Sequence, residues 1–159
     1  MIIRDATRED AAKACEVIRA SIAELCTDDH QQNPDILARW LASKTPENIA
    51  AWAAAIGSSL LVAVEGEAIL AVGGVRDDGE MTLNYVSPHA RFRGVSAALL
   101  EALEARAVER GAIVATLLST KTAHRFYLSR GYRDVGPPQG KFGTTSSYPM
   151  AKELEQPAH

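Results

Sequence analysis

The chain has 159 residues, a length that suits one domain, and its 47% hydrophobic and 23% charged content is that of a packed core, not of a disordered or fibrous chain. A net charge of −3 and a pI near 5.8 exclude a global field that would gather nucleic acid or acidic membranes, so any anion must be held by a local site. No apolar run approaches the ~20 residues of a membrane span, and the strand-like start Met1–Asp5 has no signal-peptide core, so the expectation is a soluble, cytoplasmic protein. Cys15 and Cys26 lie eleven positions apart, and one continuous helix would hold them ~16 Å apart, beyond disulfide reach. Both are expected as small buried hydrophobes. The four histidines show no ligand spacing, so no metal is expected.

In chain order, Ile2-Ile3-Arg4 predicts a short strand, and Thr7 an N-cap followed by acidic Glu9 and Asp10. Ala11, Cys15, Ile18, Ile22 and Leu25 recur at helical steps and predict one buried face. Cys26 to Asn33 is polar and reads as a loop. Asn33-Pro34 and Thr45-Pro46 each open a helix with proline at its first position, the second with Ile49, Trp52, Ala53 and Ile56 inward and Gly57 at its end. Ser59 to Glu65 and Ala68 to Val75 predict apolar strands, with Gly73-Gly74 marking a bulge or a close approach. Asp77-Asp78-Gly79 predicts a hairpin turn before the strand Met81–Val86, so the middle of the chain is an antiparallel meander.

Pro88 ends that strand, and Leu99, Leu100, Leu103 and Ala107 then recur along a helix closed by Gly111. Ile113 to Leu118 is a β-branched strand, and the helix before it predicts a parallel crossover. A short helix over Thr122–Arg130, a strand at Tyr132–Val135 and a loop Gly136–Gly140 follow. Thr144 to Ala151 is the last predicted strand, and Pro149 argues for an edge position. The expected organisation is one domain over residues 1–152 with a polar tail at 153–159.

Between the strand at Met81–Val86 and the long helix lies Arg91-Phe92-Arg93-Gly94-Val95-Ser96, which has the parts of a phosphate cradle. The first N–H groups of a helix have no internal partner and, with the macrodipole, favour an anion. Gly94 allows close backbone approach, Arg91 and Arg93 add fork-shaped donors, and Ser96 adds a hydroxyl. Two solvated arginines on a surface loop are the alternative reading.

A second stretch, Ala123-His124-Arg125-Phe126-Tyr127-Leu128-Ser129-Arg130-Gly131-Tyr132, gives the pair its meaning. The first motif resembles the Gln/Arg-x-x-Gly-x-Gly/Ala loop of the GNAT superfamily of N-acetyltransferases, and the second resembles that family's late Ala-x-x-Phe-Tyr-x-x-x-Gly-Tyr/Phe segment, in the family's order and spacing. The resemblance implies an α/β (α+β) fold with a mixed, mostly antiparallel sheet of six to seven strands, helices on both faces and a splayed parallel strand pair.

It also implies acetyl-CoA as co-substrate, without metal, and direct acetyl transfer to a primary amine of a small molecule or peptide. The pyrophosphate would lie on backbone groups of Arg91, Phe92, Arg93, Gly94, Val95, Ser96 and Ala97. Val86 and Tyr85 would offer strand-edge groups to the pantetheine, and Thr122 stands where an asparagine commonly contacts the cofactor. Tyr127 occupies the general-acid position, with packing on the cofactor as the other reading, and Glu80 matches an often acidic position as the candidate base. Asn84 is expected near the substrate. Cys26, His30 and Trp40 are candidate acceptor-site walls, against the plainer reading of a core tryptophan and a surface histidine. His124 and Arg125 reach the cofactor's outer phosphate or face water. A homodimer follows from family habit; neither nucleic acid nor a membrane is an expected partner. A non-catalytic acyl-CoA sensor with the same fold is the alternative function. The acceptor's identity is not legible.

Overall fold

The computed structural model describes residues 1–141 and 144–156. Strand β1 (Ile2–Asp5) leads through a short 3-10 turn (Arg8–Asp10) into helix α1 (Ala11–Leu25). Three short helices follow, α2 (Thr27–His30), α3 (Pro34–Leu41) and α4 (Pro46–Ala54). The meander β2 (Ser58–Glu65), β3 (Ala68–Arg76) and β4 (Met81–Val86) comes next, then a 3-10 turn (Pro88–Ala90) and helix α5 (Val95–Glu109). The chain closes with β5 (Val114–Ser119), α6 (His124–Ser129), β6 (Arg133–Asp134), β7 (Gln139–Lys141) and β8 (Thr144–Glu153).

Strands β1 to β4 pair antiparallel in sequence order, and β5, β8 and β6 form a second sheet with β7 on β8. This is the mixed, mostly antiparallel architecture expected, divided into two sheets. β2 reads as a continuous apolar run because both its faces are covered. Leu61 and Ala63 face the core built on Leu99, Leu100 and Leu103 of α5. Leu60, Val62 and Val64 face the core built on Ala14, Cys15, Ile18 and Ile22 of α1, with Trp40 and Ile49. Gly73 leaves room for Leu103 and Leu99, because a Cβ there would come within 2.7 Å of the Leu103 side chain.

The two sheets touch as a parallel pair at one described place, the bridge between Glu80 and Thr116, where the Thr116 N–H donates to the Gly79 carbonyl at 3.0 Å. Beyond it β4 and β5 pair no further, so the strands diverge towards their C-terminal ends. Gly79 makes the pinch possible. Its φ is +97°, and a Cβ would overlap the Val114 carbonyl oxygen.

Asn33 and Thr45 cap α3 and α4 as the sequence predicts, the Asn33 side chain accepting from Asp35 and Ile36 and Thr45 from Asn48. Five features differ from expectation. Thr27–His30 is a helical turn, not a loop, with Asp29 and His30 buried. Ile56 points outward and is fully exposed, because α4 stops at Ala54 and the helical spacing no longer applies. Gln139–Lys141, inside and beyond the expected loop Gly136–Gly140, pairs with β8. β8 is interior to its sheet despite Pro149. The Pro149 carbonyl accepts from the Val135 N–H at 2.9 Å, so the position without a donor faces the end of two-residue β6 and leaves the β5 ladder intact. β8 also runs to Glu153, and Leu154 is buried with its N–H on the Ile113 carbonyl at 2.9 Å.

Candidate active site

The diverging strands open a cavity of about 410 Å³, within the range of small-ligand sites. β4 forms one wall. The Ser87 N–H bonds the Leu70 carbonyl, and Tyr85 stands opposite Val72 two residues before. By antiparallel alternation the backbone groups of Tyr85 are spent on β3, while those of Asn84 and Val86 point into the gap. Val86 is therefore set as a strand-edge partner for an extended ligand, and Tyr85 contributes its ring instead. The Tyr85 hydroxyl accepts from the Trp40 indole N–H at 3.1 Å, and burial raises its pKa.

The opposite wall carries Tyr127 from α6. Its ring is buried against Phe126 and Tyr132, with centroids 5.3 and 5.5 Å away. Its hydroxyl accepts a hydrogen bond from the Asn84 side-chain amide at 2.9 Å. Burial pushes the phenol up to about 12, and the Asn84 hydrogen bond works against that rise. The amide occupies an acceptor position of the phenol, so the phenolic proton is left to be donated elsewhere.

At the mouth, Ser87 caps the 3-10 turn, and the chain passes through Arg91, Phe92 and Arg93 to Gly94, the left-handed N-cap of α5 with φ +76°. Nothing lies within 4 Å of where a Gly94 Cβ would stand, so the space above the helix start is open. Arg91, Phe92, Gly94, Val95, Ser96 and Ala97 line the cavity there. The Arg93 side chain turns away to Glu65, 2.9 Å distant, and ties the loop to β2.

The remaining candidates are placed as follows. Cys26 and Trp40 line the cavity, and burial pushes the Cys26 thiol up to about 12, which leaves it protonated and inert at neutral pH. His30, 1% exposed, lies behind the wall. Its Nε2 pairs with the Ile22 carbonyl at 3.0 Å and its Nδ1 accepts from the Gln32 N–H at 2.9 Å, which assigns the proton to Nε2 and makes the ring a brace for α2. Glu80 sits outside the cavity lining, with Arg76 at 3.6 Å, at the closed end of the splay. His124 bonds Asp134 at 2.8 Å and stacks on Tyr148, so it faces the second sheet.

Thr122 lines the cavity, but its hydroxyl donates to Asp29 at 2.6 Å. Asp29 is the residue that sequence reasoning missed. It also accepts from the backbone N–H groups of Lys121 and Thr122, and it is the one carboxylate among the described lining residues. Its only trace in the sequence was the acidic pair Asp28-Asp29 in a stretch that reads as a loop.

The model of the acetyltransferase (GNAT) domain family matches residues 24–154. No curated protein sequence matches the chain significantly. The fold is similar to that of a GCN5-related N-acetyltransferase from Rhodopseudomonas palustris, with TM-score 0.84 and 26% identity over 96% of this chain and 95% of that one. It is similar to the PaiA N-acetyltransferase of Thermoplasma acidophilum, solved with coenzyme A, with TM-score 0.80 and 16% identity over 96% and 98%. It is also similar to an aminoglycoside 6'-N-acetyltransferase from Enterococcus faecium, with TM-score 0.73 and 16% identity over all of both chains. The chain belongs to the GNAT acetyltransferase family. It is an enzyme of the acetyl-CoA-dependent N-acetyltransferase class. The residues present fit that co-substrate, with an open, glycine-capped helix start at one end of the cavity and the free backbone edge of Asn84 and Val86 along its wall. Among the described residues no group of His, Cys, Asp or Glu is arranged to hold a metal, and no helix is long and apolar enough to cross a membrane.

Proposed function

We propose that the protein acetylates a small primary amine by direct attack within a ternary complex, with Tyr127 as general acid. The observation that carries this reading is the Tyr127 hydroxyl on the cavity wall, held by Asn84 with its own proton free. Acetyl-CoA, when bound, supplies the activated acyl group. The N–H groups of Gly94 to Ala97 receive its diphosphate, and Val86 and Asn84 orient its amide-bearing arm along β4. The neutral amine attacks the thioester carbonyl, and the carbon–sulfur bond breaks. The leaving thiolate takes the Tyr127 proton, and the proton lost by the amine passes to solvent, from which the phenol is restored. A positioned acid of this kind contributes ~10²–10⁴-fold.

Asp29 supplies the negative charge that favours an ammonium approaching this cavity, a role for which Glu80, outside the lining, is badly placed. Cys26, Trp40 and the Tyr85 ring shape the acceptor end, and a cavity of about 410 Å³ shared with the acyl carrier suits a small acceptor. Thiol release measured with acetyl-CoA and a panel of polyamines, amino acids, arylalkylamines and aminoglycosides tests the reading. Saturable release with at least one amine, reduced in Tyr127→Phe, supports it. Tight acetyl-CoA binding with no release for any acceptor would turn the assignment to a sensor.

A further inference from the structure

Phe92 breaks two local rules at once. Its ring is 93% exposed at the mouth of the cavity. Its φ is +61°, in the left-handed region that a bulky side chain avoids. A phenylalanine held there is strained relative to a relaxed backbone, and strain of this kind gathers at ligand clamps. Burial does not compensate it, since the ring packs into neither core. Among the described residues its ring contact is instead with the Arg91 guanidinium, 4.6 Å from the ring centroid. Among the described residues Arg91 makes no ion pair, whereas its neighbour Arg93 is committed to Glu65. The outcome is an aromatic face backed by an uncommitted cation, just outside the helix start.

We propose that Phe92 and Arg91 form a platform for the purine nucleotide end of the acyl carrier. The base stacks on the free face of Phe92, and Arg91 is positioned for the phosphate on the ribose. The inference rests on acetyl-CoA being the ligand, and it makes the enzyme a reader of the nucleotide, not only of the pantetheine arm. A base stacked on an aromatic side chain is a substantial contact by alanine substitution, and the guanidinium behind it adds to the attraction.

Calorimetric titration of acetyl-CoA and of S-acetyl-phosphopantetheine, which lacks the nucleotide, into wild type, Phe92→Gly, Phe92→Leu and Phe92→Trp tests it. Phe92→Gly is expected to weaken acetyl-CoA binding by about tenfold while leaving the truncated carrier unchanged, and to raise the unliganded melting temperature by relieving the left-handed strain. Phe92→Leu, which keeps strain and bulk, should show the same loss of affinity, and Phe92→Trp should restore it. Unchanged acetyl-CoA affinity in the glycine and leucine variants, or equal weakening for both carriers, overturns the platform while leaving the acetyltransferase reading intact. A wild type that binds neither carrier overturns both.

Discussion

At the residue scale the proposed chemistry rests on two side chains that sequence places 43 positions apart, Asn84 and Tyr127. Replacing Tyr127 by phenylalanine removes one oxygen from a packed wall, so acetyl-CoA binding should persist while kcat falls by at least ~10²-fold, read by steady-state thiol release. Asn84→Ala removes a single hydrogen bond to the phenol, and its expected loss in kcat is about tenfold. The pH profile separates acid from base. An acid catalyst must be protonated, and burial holds the Tyr127 phenol up at about 12, above its ordinary 10.0. The wild-type rate should therefore rise as the acceptor amine loses its proton and show no descending limb near pH 10; a limb there would assign the acid role elsewhere. Both residues were legible singly, Tyr127 from the late motif and Asn84 from strand alternation. Their bond was not, because nothing in either stretch encodes the register between α6 and β4. Asp29 was illegible for a different reason. It bonds backbone N–H groups at Lys121 and Thr122, and backbone donors are the same in any sequence.

At the scale of elements, local signals gave the helices and side-chain patterning gave the strands, while the junctions were decided by tertiary contacts. Proline at the first turn with Asn33 or Thr45 before it fixed α3 and α4, because that chemistry is complete within four residues. Ile56 and Pro149 misled because where α4 stops and what flanks β8 depend on distant chain. The start of α1 offers an acid test. Asp10 receives both guanidinium nitrogens of Arg4, at 2.7 and 3.0 Å, and the N–H and hydroxyl of Thr7. The Arg4 hydrogen bonds, aided by Thr7 and opposed by desolvation, hold the carboxyl down at about 2, against 3.8 unperturbed. A depressed carboxylate stabilises the fold above its unfolded value and loses that contribution as pH falls through the folded one. Asp10→Asn should therefore cost about 1 kcal/mol at pH 7, after screening at this partly exposed pair. That difference from wild type should shrink from pH 4 to pH 2 in urea melts. The pinch between β4 and β5 offers a steric test. Gly79→Ala drives a Cβ into the Val114 carbonyl at a φ of +97°, and backbone on both sides cannot yield. A loss of about 2 kcal/mol and a melting temperature lower by about 4–8 °C are expected.

At the scale of the whole molecule, the two sheets touch as a parallel pair at Glu80 and Thr116, and the cavity exists because they then part. Both sheets share the core packed on α5, and a polar tie adds to it in holding the wall that carries Tyr127 near the wall that carries Asn84. Asp29 is that tie. It reaches from α2, on the first half of the chain, to the turn between β5 and α6, where one carboxylate accepts from the Lys121 N–H, the Thr122 N–H and the Thr122 hydroxyl. Asp29→Ala strips the partner from two backbone donors in a part-buried turn, and unmade hydrogen bonds of this kind to a charged group are worth about 3 kcal/mol together. The loss should be local. Hydrogen exchange should quicken across residues 120–130 and stay unchanged in β2 and β3, whose bonds lie within the first sheet. Turnover should fall with it, since the phenol no longer meets Asn84 at a fixed distance, while diphosphate binding at Gly94, on the other side of the cavity, is retained. Asp29→Asn keeps an acceptor oxygen for the turn and should lie between wild type and alanine in both exchange and kcat. If exchange quickened equally in β2 and β3, Asp29 would be part of one global core and the separate tie would be lost as an explanation.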